Sequence, residues 1–283
     1  MGNSLRRMWM GLVTVLGVAR RGFFIPYRYA YTVAGPRFRH GYGELEHLFR
    51  RRADDFLDHI SSMVGYAAEL EAMGAKPSTG PRWDQDWFPR LDGASLYAMV
   101  RRYKPLRIVE VGSGHSTRFL ARAVIDGGLD VRITAIDPEP RSDIDELGIE
   151  VWRSTVQQAG PASFSHLGTG DMLIIDSSHI LMPGGDVDFL LNSMLPMLPA
   201  GVLVHFHDIF LPDDYPPQWE WRAYNEQLGV ATLIQGGGYD IIWSSRYVAT
   251  RMAEALEGTV IKRLGLPQGA FESSLWLRKL EPL

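Results

Sequence analysis

Cysteine is absent from all 283 residues. That absence removes disulfides, thiolate metal sites and a cysteine nucleophile together, and leaves the redox compartment undecided. Long apolar runs are missing too. The run from Met8 to Ala19 is short and bracketed by Arg6-Arg7 and Arg20-Arg21, whereas a membrane span needs about 20 apolar residues. It does not cross a bilayer. The run then meets Gly22-Phe23-Phe24-Ile25 rather than a small-residue cleavage site, so it does not read as a signal peptide. The opening M-G-N-S-L-R puts Arg6 where a myristoylation signal wants Ser or Thr. No internal repeat or low-complexity tract stands out.

Acidic residues are scarce at one end. The chain carries a formal charge of −4, yet up to residue 52 it sets ten arginines against Glu44 and Glu46, so the remainder is strongly acidic. Residues 1–40 form a basic, apolar arm in which arginines bracket Trp9, Phe23, Phe24 and Tyr27. Two occupants suit such an arm. One is an anionic membrane surface, where each basic residue contributes about 1 kcal/mol; the other is the protein's own body or a second copy in a homo-oligomer. The expected location is cytoplasmic, on the inner face of a membrane if the first occupant is the right one. The core has no basic stripe, so nucleic acid is not an expected partner.

A hydrophobic content of 46% is ample for one large α/β domain with an appendage. Between residues 41 and 80, Leu45, Leu48, Phe49, Phe56, Leu57, Ile60, Met63, Val64, Ala67 and Leu70 recur mostly at three and four, predicting an amphipathic helix from Glu44 to Met73 with an interruption at Gly65. Gly74 to Pro81 reads as a linker. The main domain then occupies 81–283. It opens on Trp83, Trp87 and Phe88, followed by a helix capped at Asp92, carrying Leu96, Met99, Val100 and Tyr103 on one face, and stopped by Lys104-Pro105.

The organising stretch is R-I-V-E-V-G-S-G-H-S-T-R-F-L-A-R-A from Arg107 to Ala123, which reads as strand, glycine-rich turn and helix. Gly112 and Gly114 let a ligand approach the backbone, and the helix start offers unpaired N–H groups. A dinucleotide fingerprint wants a third glycine where Thr117 stands, which disfavours a nicotinamide dehydrogenase. Val131 to Ile136 alternates into a second strand ending in Asp137-Pro138, about twenty residues beyond the loop, where an acid can bind ribose hydroxyls. Later strand ends fall at Asp176, followed by Ser177-Ser178-His179, and at His207-Asp208.

This pattern resembles the class I S-adenosylmethionine (SAM) dependent methyltransferases, close to a bacterial subgroup acting on small molecules and sugars. The resemblance covers about 200 residues from Trp83 onward and rests on Glu110-x-Gly112-x-Gly114, Asp137 and Asp176. It implies a Rossmann-like α/β fold: seven strands, mostly parallel with one antiparallel, helices on both faces, and here an N-terminal helical extension. It also implies that Glu110, Gly112, Ser113, Gly114, Ser116, Asp137 and Asp176 hold SAM, with adenine cupped by Ser154 to Gln158. Terminal strands are expected at Tyr239 to Trp243 and Ser274 to Leu277, with helices through Ala223 to Gln227 and Tyr247 to Leu256.

The chemistry expected is O-methylation of a small-molecule, sugar or lipid-linked acceptor. A hydroxyl acceptor must lose its proton, either to a base such as His179 or His207 or under the influence of a divalent ion. By resemblance to the catechol-type enzymes, Asp176, His207 and Asp208 occupy metal-ligand places, with magnesium, manganese or zinc as candidates. The imidazole of His207 departs from the oxygen set that magnesium prefers. His205 reads as a buried strand residue. Tyr215, Trp219 and Trp221, in the proline-rich loop beyond Asp208, either stack on the acceptor or anchor the loop. The rival is a catalytically inactive SAM-fold scaffold docked through the basic arm.

Overall fold

A computed structural model describes residues 3–33, 35, 41–74, 80–140 and 143–281. Parts of the basic arm (1, 2, 34 and 36–40) and of the linker (75–79) lie outside the described residues. In chain order, α1 (Asn3–Val15), α2 (Gly43–Arg50), α3 (Ala53–Val64), α4 (Ala67–Ala72) and α5 (Arg90–Tyr103) precede β1 (Arg107–Val111), α6 (His115–Gly127), β2 (Arg132–Ile136), β3 (Glu150–Trp152) and α7 (Val156–Ala159). Then follow β4 (Met172–Ile175), α8 (Asp186–Phe189), β5 (Leu203–Phe206), α9 (Glu226–Gln235), β6 (Tyr239–Ser244), α10 (Ser245–Arg251), α11 (Val260–Arg263) and β7 (Leu275–Lys279).

The seven strands form one sheet in the order β3-β2-β1-β4-β5-β7-β6, with β7 antiparallel to both neighbours and the rest parallel. This is the Rossmann-like sheet expected. Its central strand β4 is apolar throughout and wholly buried, as a parallel strand covered on both faces must be. In β5 the buried His205 is polar, and its Nε2 lies 2.8 Å from Ser274 Oγ.

Register positions the site. Val111 pairs with Ile175, and Ile175 with Phe206, so β1, β4 and β5 end level. Beyond those ends the ladder continues, with Asp176 N–H donating to the Val111 carbonyl at 2.9 Å and His207 N–H to the Ile175 carbonyl at 2.9 Å. Gly112, Asp176 and His207 are thereby neighbours where the connections leave in opposite directions, the place where open α/β sheets bind ligands.

Three helices replace the single one expected from Glu44 to Met73, broken after Arg50 and after Val64. Each buries its own apolar face in the core shared with the sheet: Leu45 and Phe49 from α2, Phe56, Ile60 and Met63 from α3, Leu70 from α4. Phe49 stacks on Tyr247, and Phe56 meets Trp243 and Tyr247 edge-on. No described residue of α1 joins that core.

Helix α9 begins at Glu226, three residues later than expected, because Ala223 is left-handed (φ 55°) and cannot sit in an α-helix. It runs on through Gly229, where a Cβ would press on Leu191, so that glycine permits close packing rather than ending the helix. The helix expected to reach Leu256 ends at Arg251 and gives way to a 3-10 turn at Ala253–Leu256.

Candidate active site

Above the level strand ends lies a cavity of about 930 Å³. One wall is the turn between β1 and α6. Gly112 has φ +82°, and a Cβ there would run into the Asp176 carbonyl oxygen, so only glycine lets this turn lie on the end of β4. Gly114 N–H donates to Thr117 Oγ1 at 2.8 Å. Asp137 Oδ2 accepts from Ser113 N–H at 2.8 Å and Ser113 Oγ at 2.7 Å, while its Oδ1 accepts from Glu139 N–H at 2.8 Å. Gly112, Ser113, Gly114, Ser116 and Asp137 all face the cavity, as do Thr155, Val156 and Gln157 from the stretch expected near adenine.

Glu110 does not face it. Its carboxyl is fully buried and accepts from Ser116 Oγ and Thr117 Oγ1, each at 2.6 Å. Burial pushes it up to about 8 despite those hydroxyls, so it carries a proton at neutral pH. Glu110 braces the turn from beneath. Thr117, whose place a dinucleotide fingerprint gives to glycine, is one of the two hydroxyls that hold it.

The floor is a network of imidazoles and carboxylates. His179 Nε2 lies 3.4 Å from Asp176 Oδ1 and 3.5 Å from Asp208 Oδ2, while its Nδ1 is 2.8 Å from Glu226 Oε2. His207 Nδ1 lies 3.4 Å from Asp176 Oδ1 and 3.5 Å from Asp208 Oδ1, and its Nε2 is 3.3 Å from Asp92 Oδ2. Burial opposes charge on both rings, yet the carboxylates around them win and raise both well above the ordinary histidine value. Asp176 is correspondingly held low: burial would raise it, but the His207 charge and the hydrogen bonds from both imidazoles outweigh that. Both rings are therefore biased toward imidazolium. His205, two positions before His207, shows the opposite balance, since burial drives it down to about 3.

Two members of the network sit in left-handed backbone, His179 at φ 60° and Asp208 at φ 56°. Such a conformation costs a residue with a Cβ roughly 1–2 kcal/mol and recurs where function fixes geometry. The His179 carbonyl accepts from Asn225 N–H at 3.1 Å and Glu226 N–H at 3.2 Å, which pins it to the start of α9. Ser273 Oγ donates to Asp208 Oδ1 at 3.2 Å.

Asp176, His179, His207 and Asp208 thus converge at the cavity as their strand-end positions led us to expect. Asp92 and Glu226 enter the network unannounced. Asp92 lies inside the first turn of α5, where Pro89 holds the capping position, and its carboxylate accepts from Ser273 and Ser274 N–H groups at 2.9 to 3.1 Å. It is not a helix cap. The acid four residues before a helical apolar face was the available sign, and it pointed to the wrong role.

Aromatic side chains close the far wall. Trp219 and Trp221 line the cavity with Tyr224 and Phe271, whereas Tyr215 is buried against Phe210 and anchors the loop. The Tyr224 ring packs on His179 at 4.6 Å between centroids.

Among the described residues, no group of three or more His, Asp or Glu is arranged to hold a metal ion. Asp176, His207 and Asp208, the candidate ligands, are paired with one another, and an imidazole between two carboxylates departs from the oxygen set that magnesium demands, so the set as arranged does not fit magnesium.

Residues 109–209 match the model of a methyltransferase domain family. No curated protein matches the sequence. Among solved structures, an O-methyltransferase from Bacillus cereus in complex with SAH is 12% identical, with a TM-score of 0.43, and the alignment covers 99% of this chain and 100% of that one. A Podospora anserina methyltransferase, also bound to SAH, is 15% identical at a TM-score of 0.43, with 92% and 100% covered. The O-methyltransferase TomG from Streptomyces achromogenes, in complex with SAM, is 15% identical at 0.42, with 77% and 89% covered.

Proposed function

We infer that this chain, which carries a class I methyltransferase domain, moves a methyl group from SAM to a hydroxyl of a small acceptor. The observation that carries this is the convergence of the turn at Gly112 and Gly114, Asp137 and the His179 network on one cavity. Bound there, SAM supplies a methyl carbon made electrophilic by a sulfonium.

Each residue then has work to do. Asp137 and Ser113 grip the ribose side, and the Gly112 turn admits the amino-acid end. Aligning the reacting atoms supplies much of the acceleration in such a displacement. His179 Nε2, in its neutral form, takes the acceptor's proton, while Glu226 at Nδ1 orients the ring and stabilises the imidazolium that results. Because His179 is biased toward imidazolium, it acts only after releasing a proton to solvent. A sulfonium entering the cavity favours this, since like charge lowers the affinity of imidazole for protons. Asp208 and Asp176 flank His179 Nε2 and support the charge it gains with the proton, and His207 is held in place by Asp92.

Titrating the purified protein with S-adenosylhomocysteine in a calorimeter tests the reading. Micromolar binding is expected; its absence, with the protein folded, moves the weight to a scaffold that has kept the fold alone.

The amino-terminal arm supports a place for this activity at a membrane surface. Leu5, Met8, Trp9, Leu12 and Leu16 lie along one side of α1 and the turn after it, and all are exposed. Phe23, Phe24, Ile25 and Tyr27 follow, also exposed, with Arg6, Arg7, Arg20, Arg21 and Arg28 among them. No helix among the described residues is long and apolar enough to cross a membrane. An amphipathic helix with basic residues and no acid before Glu44 suits the interface of an anionic bilayer.

A further inference from the structure

The aromatic wall of the cavity holds a cation that forms no ion pair among the described residues. Arg222 ends the 3-10 turn Pro217–Arg222. Its guanidinium carbon lies 4.3 Å from the Trp219 ring centre, 5.0 Å from Trp221 and 5.4 Å from Tyr224. Nη1 donates to Tyr224 Oη at 2.9 Å, while Nε is buried without a hydrogen-bond partner. Of the described residues that line the cavity, Arg222 is the one arginine or lysine; of the six lining acids, Asp137, Asp176, Asp186 and Asp208 are engaged elsewhere, and neither Asp86 nor Glu139 forms an ion pair with it.

Three aromatic faces recover part of what the guanidinium loses on leaving water. They do not satisfy its donors. A planar fork of N–H groups held beside a cavity matches a carboxylate, phosphate or sulfate. Its distance from the chemistry is set by Tyr224, which bonds Arg222 through its hydroxyl and packs its ring on His179. One tyrosine side chain therefore separates this cation from the proton acceptor.

We propose that Arg222 binds an oxyanion carried by the methyl acceptor, whose planar body lies against Trp219, Trp221 and Phe271, so that the substrate class is an acidic, ring-bearing hydroxyl compound. This rests on the methyl-transfer reading. The network around His179 fixes the hydroxyl end, and Arg222 fixes which molecules can present a hydroxyl there.

The test uses the full chain saturated with S-adenosylhomocysteine and two matched probe pairs, 3,4-dihydroxybenzoate against catechol and phenyl phosphate against phenol, titrated by calorimetry. At least one acid is expected to bind ten-fold or more tightly than its neutral partner. Arg222→Met should erase that preference and Arg222→Lys should keep part of it, with S-adenosylhomocysteine affinity unchanged within two-fold in both. Arg222→Gln provides a second neutral variant should the methionine variant unfold. Equal affinity for acid and neutral partner in both pairs overturns the proposal, including the case where no probe binds. A preference that survives Arg222→Met does so too. A ten-fold loss of S-adenosylhomocysteine affinity in that variant would assign the guanidinium to the cofactor's own carboxylate and equally overturn it. Failure of the wild-type chain to bind S-adenosylhomocysteine would instead sink the methyl-transfer reading itself.

Discussion

The two ends of this molecule's chemistry invert the usual rule in opposite ways. In the arm, Trp9, Leu12 and Phe24 are each more than half exposed; on the cavity floor, Asp92 and Glu226 are wholly buried and His179 and His207 nearly so. Exposed large apolar residues in series, and buried charges in series, are the informative departures from ordinary burial. The buried charges find their partners within the chain, two imidazole rings set among four carboxyl groups. The exposed apolar residues of the arm meet only one another and their own arginines and join none of the described core, which is why one region reads as a finished machine and the other as half of an interface.

The largest effect on the finished side should come from its backbone. Gly112→Ala forces a methyl group into the Asp176 carbonyl at a left-handed position, and we expect S-adenosylhomocysteine binding to disappear, together with a fall in melting temperature. Asp137→Ala removes a charge-assisted partner of the turn and of the ribose, worth about 1.5–3 kcal/mol, so affinity should fall on the order of ten- to a hundred-fold with the fold intact. Unchanged affinity in calorimetry would remove the ribose assignment.

Next in size is proton transfer. His179→Ala should keep S-adenosylhomocysteine binding and lose about 10²–10⁴ in turnover, measured as S-adenosylhomocysteine release with 3,4-dihydroxybenzoate; full activity would make His179 structural. The carboxylates raise His179, and turnover requires its neutral form, so the acidic limb of the rate profile should lie above pH 6.5. Stability should move the other way. Groups raised in the folded state stabilise it fully below their ordinary value, and that contribution fades as pH climbs through the raised values of His179 and His207. Glu226→Gln weakens the hold on the imidazolium, and should both slow turnover and shift the limb toward lower pH. A limb below pH 6 in the wild type would contradict the network as drawn. Chelation should leave turnover within about two-fold, since Asp176, His207 and Asp208 are engaged with one another.

Much of the inner region is legible in sequence because its residues sit at the ends of apolar strands. Asp176 and His207-Asp208 each follow a short buried run, and parallel register brings such ends together. Asp92 and Glu226 are different in kind. Each meets its histidine across 115 and 47 positions of chain, through a helix crossing that no local pattern encodes. Glu226 stands in Tyr224-Asn225-Glu226-Gln227, a polar stretch that resembles an exposed helix start, yet both Glu226 and Gln227 are fully buried. Glu110 was visible as the acid before the turn, but whether it points into the cavity or beneath the turn depends on where Ser116 and Thr117 place their hydroxyls.

The smallest expected effect on turnover is also the sharpest test of the contrast between the two regions. Removing residues 1–33 takes away five arginines, Arg6, Arg7, Arg20, Arg21 and Arg28, and the whole exposed apolar series. Because no described residue of α1 shares the core, turnover with a soluble acceptor should change by less than about two-fold. Sedimentation with vesicles should change completely. The full chain is expected to pellet with vesicles containing phosphatidylglycerol, at about 1 kcal/mol per arginine near the surface, and to do so less as salt rises. It should stay in solution with phosphatidylcholine alone, as should the truncated chain with either. A truncated chain that melts well below the full one, or turns over ten-fold more slowly, would instead place the arm's apolar face against the protein itself, and the two regions would then be parts of one interior.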